Sequence, residues 1–226
     1  MNNIKDRISI QVGLSGYSFK IESQREQSAS GWMPAESIFT TSQLQRRYDD
    51  VSMSVFTPYC TLVPENFHRP DLSRELLSEV VSLPDNAVVE YVKLPEFNAV
   101  MVYSVSIGGT LHKVLSESVL RIDGSKSEPR PELYHMLKSL GDVSEYNKIL
   151  ASYMDGVLYL VIAQGRTLLL CNTFEAQDFT TAQYFIFLAL KKLQLNAEVS
   201  TICFRTPLDE LQLMSLYRYF KNVDTV

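Results

Sequence analysis

Cysteine and histidine occur only three times each in these 226 residues, and no glycine follows Gly165. His68, His112 and His135 lie far apart, and no H-x-x-x-H or paired-cysteine spacing exists, so the sequence contains no local metal-binding motif. Cys60, Cys171 and Cys203 are odd in number and sit in apolar runs, which reads as buried, reduced thiols in a cytoplasmic protein. Basic residues are outnumbered, 21 Lys and Arg against 26 Asp and Glu. A surface for nucleic acid needs the opposite balance, so nucleic acid is not expected as a partner. No apolar run approaches the ~20 residues of a membrane span. The most apolar stretch, Tyr184 to Leu190, is short and runs into Lys191 and Lys192. The opening MNNIKDRIS has no apolar core, so no secretory signal is expected. Neither a phosphate-binding G-x-x-x-x-G-K-[ST] loop nor a G-x-S-x-G nucleophile turn occurs.

The composition is that of a soluble globular chain: 46% hydrophobic, 21% charged and 11% aromatic residues, enough for one large domain or two small ones. Ile8 to Ile21, ISIQVGLSGYSFKI, alternates apolar and polar residues on either side of a glycine-containing turn and predicts a hairpin. Residues 24–34 read as a loop, 35–39 as a third strand, and 43–49 as a short helix. A strand is predicted over 51–57; Pro58 and Pro64 bracket the apolar CTLV of residues 60–63, and a helix capped by Asp71 follows, with Leu72, Leu76, Leu77 and Val80 on one face. Strands follow at 87–94 and 99–106. After the Gly108-Gly109 break come an amphipathic segment at 111–115 and a strand at 119–122. DGSKSEPRP, residues 123–131, is the most linker-like stretch, and a helix is expected over 132–140.

The second half is clearer. Strands are predicted at 146–153, 157–163 and 167–174, with Asp155-Gly156 as a hairpin turn. A helix follows from Asp178 to Leu193, then a strand at 197–204. The final helix is expected to be capped by Thr206, with Pro207 at its first position. The order strand, strand, strand, helix, strand, helix matches a ribonuclease H-like module, and the first half can be read the same way. The expected division is residues 1–122 for one module, 123–145 for a linker and connecting helix, and 146–226 for the second.

Three segments, SIQVGLSGYSF at 9–19, TLVPENF at 61–67 and NTFEAQDF at 172–179, resemble a bacterial family of unknown function associated with the actin-like ATPase fold. The plan is similar to the pilus-assembly and cell-division branch, cytoplasmic scaffolds that bind membrane-protein tails and often ATP. The resemblance implies an α/β fold of two tandem ribonuclease H-like modules. It also implies a phosphate site at the opening hairpin, whose superfamily pattern is roughly I-x-I-D-x-G-T-T. Here Gln11 stands where the metal-organising aspartate is expected, while Gly13, Ser15 and Gly16 keep the turn. In the second module the pattern Asp-x-Gly-x-x-Thr is absent. The adenosine loop, glycine-rich in the superfamily, reads RTPLD at 205–209.

The candidate binding residues are thus Gln11, Gly13, Ser15 and Gly16, with no catalytic residue, metal site or cofactor assigned. The expectation is a non-catalytic scaffold whose partner is a protein; the alternative is an ATP-binding protein, with Mg²⁺, whose site tolerates Gln11. A hydrolase or nuclease would need clustered carboxylates or a nucleophile–base pair. The aromatic run Tyr184, Phe185 and Phe187 reads either as core packing or as a partner-facing surface.

Overall fold

The computed structural model describes residues 5–24, 27–107 and 109–225. Met1 to Ile4 of the opening segment, Arg25 and Glu26 of the expected loop, and Gly108 of the glycine break lie outside the described residues. The chain divides into two units, residues 5–93 with 100–132, and Leu94–Ala99 with residues 133–225. Among the described residues no helix is long and apolar enough to cross a membrane.

The first unit is built on β1 (Arg7–Val12), β2 (Gly16–Glu22), β3 (Gln27–Ala29), β4 (Met33–Pro34) and β5 (Asp50–Val55). It continues through β6 (Cys60–Pro64), α1 (Ser73–Ser78), β7 (Glu90–Leu94), β8 (Ala99–Tyr103), α2 (Leu111–Ser118) and β9 (Pro129–Pro131). The main sheet has the order β3-β2-β1-β5-β9, with β4 also paired to β2. β1 runs antiparallel to β2 and parallel to β5, so Ile10 pairs with both Phe19 and Met53. Alternation sends Ile8, Ile10, Val12, Phe19 and Met53 into one core, against Leu115 and Val119 of the α2 region. β6, β8 and β7 form a separate three-stranded sheet over Leu77 of α1.

The second unit takes up the chain in α3 (Glu132–Ser139), then β10 (Asn147–Met154), β11 (Val157–Gln164), β12 (Thr167–Glu175), α4 (Phe179–Lys192), β13 (Thr201–Phe204), α5 (Glu210–Tyr217) and β14 (Asn222–Thr225). Its sheet order is β12-β11-β10-β13-β14, antiparallel across the hairpins and parallel from β10 to β13 to β14. Written by order of appearance, both main sheets read third, second, first, fourth, fifth strand. The architecture is therefore two tandem ribonuclease H-like modules. Burial of Ile149, Leu160, Ile162, Ile186, Ile202 and Phe204 forms the second core.

Several local expectations are corrected. The third strand of the first unit is β3, inside the expected loop, and residues 35–39 form a 3-10 helix instead. The Ser37 carbonyl accepts the N–H groups of both Thr40 and Thr41 and both their hydroxyls, which closes that turn. The helix expected at 43–49 is a 3-10 turn, Ser42–Gln45. Asp71 caps nothing; it pairs with Arg69 at 2.6 Å, and α1 starts after it. Residues 119–122 contribute isolated bridges rather than a strand. Pro129–Pro131, within the stretch read as a linker, is a strand that pairs parallel to β5. Prolines are tolerated there because β9 is an edge strand, with only one neighbour to hydrogen-bond.

In the second unit, Ala197–Val199 is a 3-10 turn capped by Asn196, and only Thr201–Phe204 extends. α5 is capped by Asp209 in a reciprocal box with Gln212. Thr206 is occupied elsewhere: its hydroxyl accepts the Tyr153 N–H at 3.0 Å. The aromatic run divides. Phe185 stacks on Phe174 at 4.9 Å and Phe187 on Phe220 at 5.8 Å, whereas Tyr184 is exposed.

Candidate functional site

The opening hairpin places the four sequence-predicted residues in two different environments. Gln11 lies on β1, three residues before the turn tip, opposite Ser18 on β2 and Ser54 on β5. Paired residues on adjacent strands project to the same sheet face, so Ser18, Gln11 and Ser54 form a polar row across three strands. Glu132, directly after β9, closes the row. The Gln11 Nε2 donates to Glu132 Oε1 at 3.2 Å, the Ser54 hydroxyl donates to Glu132 Oε2, and the Ser18 hydroxyl donates to Gln11 Oε1 at 3.4 Å. One strand pair further along, Ser52 donates to Ser9 at 3.0 Å.

Glu132 is fully buried. A carboxylate out of water needs charge-assisted hydrogen bonds, and it receives them from the Gln11 amide and the Ser54 hydroxyl. It is also the first residue of α3, where unpaired backbone N–H groups favour negative charge.

The other three predicted residues make the turn. The Gly13 N–H donates to the Gly16 carbonyl at 2.9 Å, which closes the loop and occupies that N–H. Leu14 and Ser15 form the exposed tip. Gly16 is buried where β2 pairs with β4, and a Cβ there would lie 2.2 Å from the Met33 carbonyl oxygen. The glycine thus provides room for a neighbouring backbone. The structure joins Gly13 to Gly16 and Gln11 to Ser18 and Glu132, and Ser15 stands alone at the tip.

Ser54 and Glu132 were missed by sequence reasoning. Ser54 is a polar position in an alternating strand, which marks a sheet face but no chemistry. Glu132 follows Pro-Arg-Pro, a context that reads as linker.

In the second unit the matching turn is Asp155-Gly156, with φ of 52° and 75°. Positive φ at both positions is the geometry of a two-residue hairpin turn. Counted from the turn, the position matching Gln11 is Ser152, which is fully buried whereas Gln11 is half-buried. Residues 205–209 are held locally: the Arg205 N–H donates to the Ala151 carbonyl at 3.0 Å, and Asp209 caps α5. Among the described residues, no three His, Cys, Asp or Glu side chains assemble into a metal-binding group. Burial pushes the Cys60 thiol up to about 12 and that of Cys203 to about 11, so both are protonated and unreactive at neutral pH.

A cavity of about 430 Å³ lies beside β2 and is lined by Phe19, Ser30, Met33, Ser37, Thr41 and Gln43, among others. Two of its hydroxyls are engaged internally. Ser30 accepts the Phe19 N–H at 2.8 Å, and Thr41 shares a 3.0 Å hydrogen bond with the buried Tyr17.

The fold is shared with a protein of Bacteroides thetaiotaomicron described as having an actin-like ATPase fold and unknown function. The TM-score is 0.69 at 16% identity, covering 99% of this chain and 91% of that one. Weaker similarity extends to the cytoplasmic domain of EpsL, an inner-membrane component of the type II secretion system of Vibrio cholerae. There the TM-score is 0.48 at 12% identity, over 91% of this chain and 84% of that one. A PilM–PilN type IV pilus biogenesis complex matches at a TM-score of 0.48 and 13% identity, over 97% and 88% of the two chains. No curated protein matches. The model of a protein family of unknown function, DUF3822, matches residues 3–223, and the chain therefore belongs to the DUF3822 family.

Proposed function

We propose that this protein is a catalytically degenerate member of the actin-like fold, acting as a cytoplasmic binding or scaffold protein for another protein. Its two modules divide within residues 123–145. The observation that carries the reading is the closed polar row of Ser18, Gln11, Ser54 and Glu132. Magnesium takes up oxygen ligands of high charge density, chiefly carboxylates and phosphates. Gln11 supplies a neutral amide, and both Glu132 oxygens already accept hydrogen bonds inside the sheet. The Gly13 N–H, which could otherwise meet a phosphate, is spent on the turn. These donors do not fit a magnesium–triphosphate, and no hydrolytic step is derived from them.

The alternative reading is ATP binding by a modified phosphate site. It draws on the exposed Leu14-Ser15 tip. Thermal unfolding with and without Mg-ATP separates the two. A ligand at a hundredfold excess over its Kd adds about 2.7 kcal/mol of stability. The degenerate reading expects no shift with ATP, ADP or GTP, and a saturable shift would replace it with the nucleotide-binding one.

A further inference from the structure

α5 presents an apolar stripe that is exposed among the described residues. Leu211 is 80% exposed, Met214 57% and Tyr217 49%, at a spacing of three residues along one helix face. Such residues on a surface helix are normally turned inward. Leu216, on the opposite side, is the residue that α5 buries. Tyr219, just after α5, and Tyr184 of α4 are exposed as well. Gln183 of α4 donates to Ser215 of α5 at 2.6 Å, and Tyr219 packs on Phe187 of α4 at 4.9 Å, so the two helices present one surface.

The charges on this face are arranged symmetrically. Glu210, Met214 and Arg218 are four residues apart and form one ridge. The acid and the base sit at equal distances on either side of Met214. Both are exposed, and among the described residues neither is in a salt bridge. Ridges of this spacing pack along one another when two helices cross at about −50°. If the second helix is an antiparallel copy of the first, its ridge reads in reverse order. Glu210 then meets Arg218 of the second copy, Arg218 meets its Glu210, and Met214 meets Met214 on the two-fold axis.

We propose that the α5 face is a self-complementary surface through which two copies of this chain associate as a symmetric dimer. The stripe supplies the desolvated centre and the reciprocal Glu210–Arg218 pairs fix the orientation, since an isologous contact must satisfy each pair twice. A different protein partner has no reason to match a pattern that is complementary to its own reversal. This inference does not depend on the nucleotide question, because α5 lies outside the polar row.

The test is sedimentation velocity on the full chain from roughly 1 to 100 µM, the range in which a modest dimer dissociates. Wild type should pass from monomer to dimer. Glu210→Arg and Arg218→Glu should each raise the dimer Kd at least about tenfold, since each turns two attractions into two repulsions. The double variant, Glu210→Arg with Arg218→Glu, should restore wild-type association. Met214→Glu should abolish it by placing two carboxylates together. The substituted side chains are exposed, and circular dichroism with a thermal midpoint checks that each variant is folded. A wild type that stays monomeric, single reversals without effect, or a double variant no better than the singles would each overturn the proposal.

Discussion

The two units share a strand order but not a sheet chemistry. In the second unit both faces of the sheet are apolar. Ile149, Leu160 and Ile202 line one face, and Leu150, Val161 and Cys203 the other, all buried. In the first unit only one face is apolar, and the other carries Ser9, Gln11, Ser18, Ser52 and Ser54, ending at the buried Glu132. One topology is thus held in two ways. Side-chain volume fills the second sheet, whereas hydrogen bonds between polar partners complete the first. The lesson is that strand order constrains where a site would sit, while the residues on the faces decide whether one exists.

The largest effect should come from emptying the apolar core of the second unit. Phe204 is fully buried on β13 and lies 6.0 Å from the Phe179 ring. Phe204→Ala should cost about 3–5 kcal/mol in urea unfolding. A loss under about 1 kcal/mol would mean that the second core is not packed as described.

The polar unit should be most sensitive at its carboxylate. Glu132→Ala leaves the Gln11 amide and the Ser54 hydroxyl without their acceptor, at roughly 1–3 kcal/mol for each buried orphan. Glu132→Gln keeps one acceptor oxygen and should cost less. Equal losses in the two variants would show that charge, rather than hydrogen bonding, matters at this position.

Gly16→Ala tests the turn. Its methyl group would meet the Met33 carbonyl, so β4 must shift, with an expected loss of about 1–3 kcal/mol. Gly156, in the turn of the second unit's hairpin, has φ +75° and an added Cβ would touch only ordinary contacts. Gly156→Ala should cost about 1 kcal/mol, for conformation alone. If the order of the two losses reverses, Gly16 is not held by close packing.

The smallest effect is a pH dependence confined to the first unit. Burial, helped by Lys113, holds the pKa of His112 on α2 below its ordinary 6.5. Folded His112 therefore resists protonation while the unfolded chain accepts it. The stability from this group is complete above pH 6.5 and falls as the pH drops through that value toward the folded pKa. Thermal midpoints measured from pH 7.5 down to pH 5.5 should decline, and His112→Asn should flatten that part of the curve.

Much of this comparison was legible in the residues. The alternation of Ile8, Ile10 and Val12 with Ser9 and Gln11 announced a sheet with one polar face. The unbroken run of residues 157–163 announced strands buried on both sides. The tandem modules followed from the repeated order of elements. What could not be read was any element whose identity depends on a neighbour. β3 has three residues, β14 has four, and β9 is mostly proline, so each is a strand only because a longer strand lies beside it. Thr206 looked like a cap, but the Tyr153 N–H reaches it first. In the candidate site Gln11 was visible as a departure from an expected acid. Its bond to Glu132 spans 121 positions and has no local signature.

β9 has a consequence for the first unit's contact with other chains. Two of its three residues lack an N–H, so its outward edge offers almost no donors to an approaching strand. The first sheet is closed to extension on that side by covalent chemistry alone. The second sheet ends on β12, nine residues without a proline, and keeps its donors. On heating or partial unfolding, edge-to-edge polymerisation would thus start from the second unit, while β9 terminates the first.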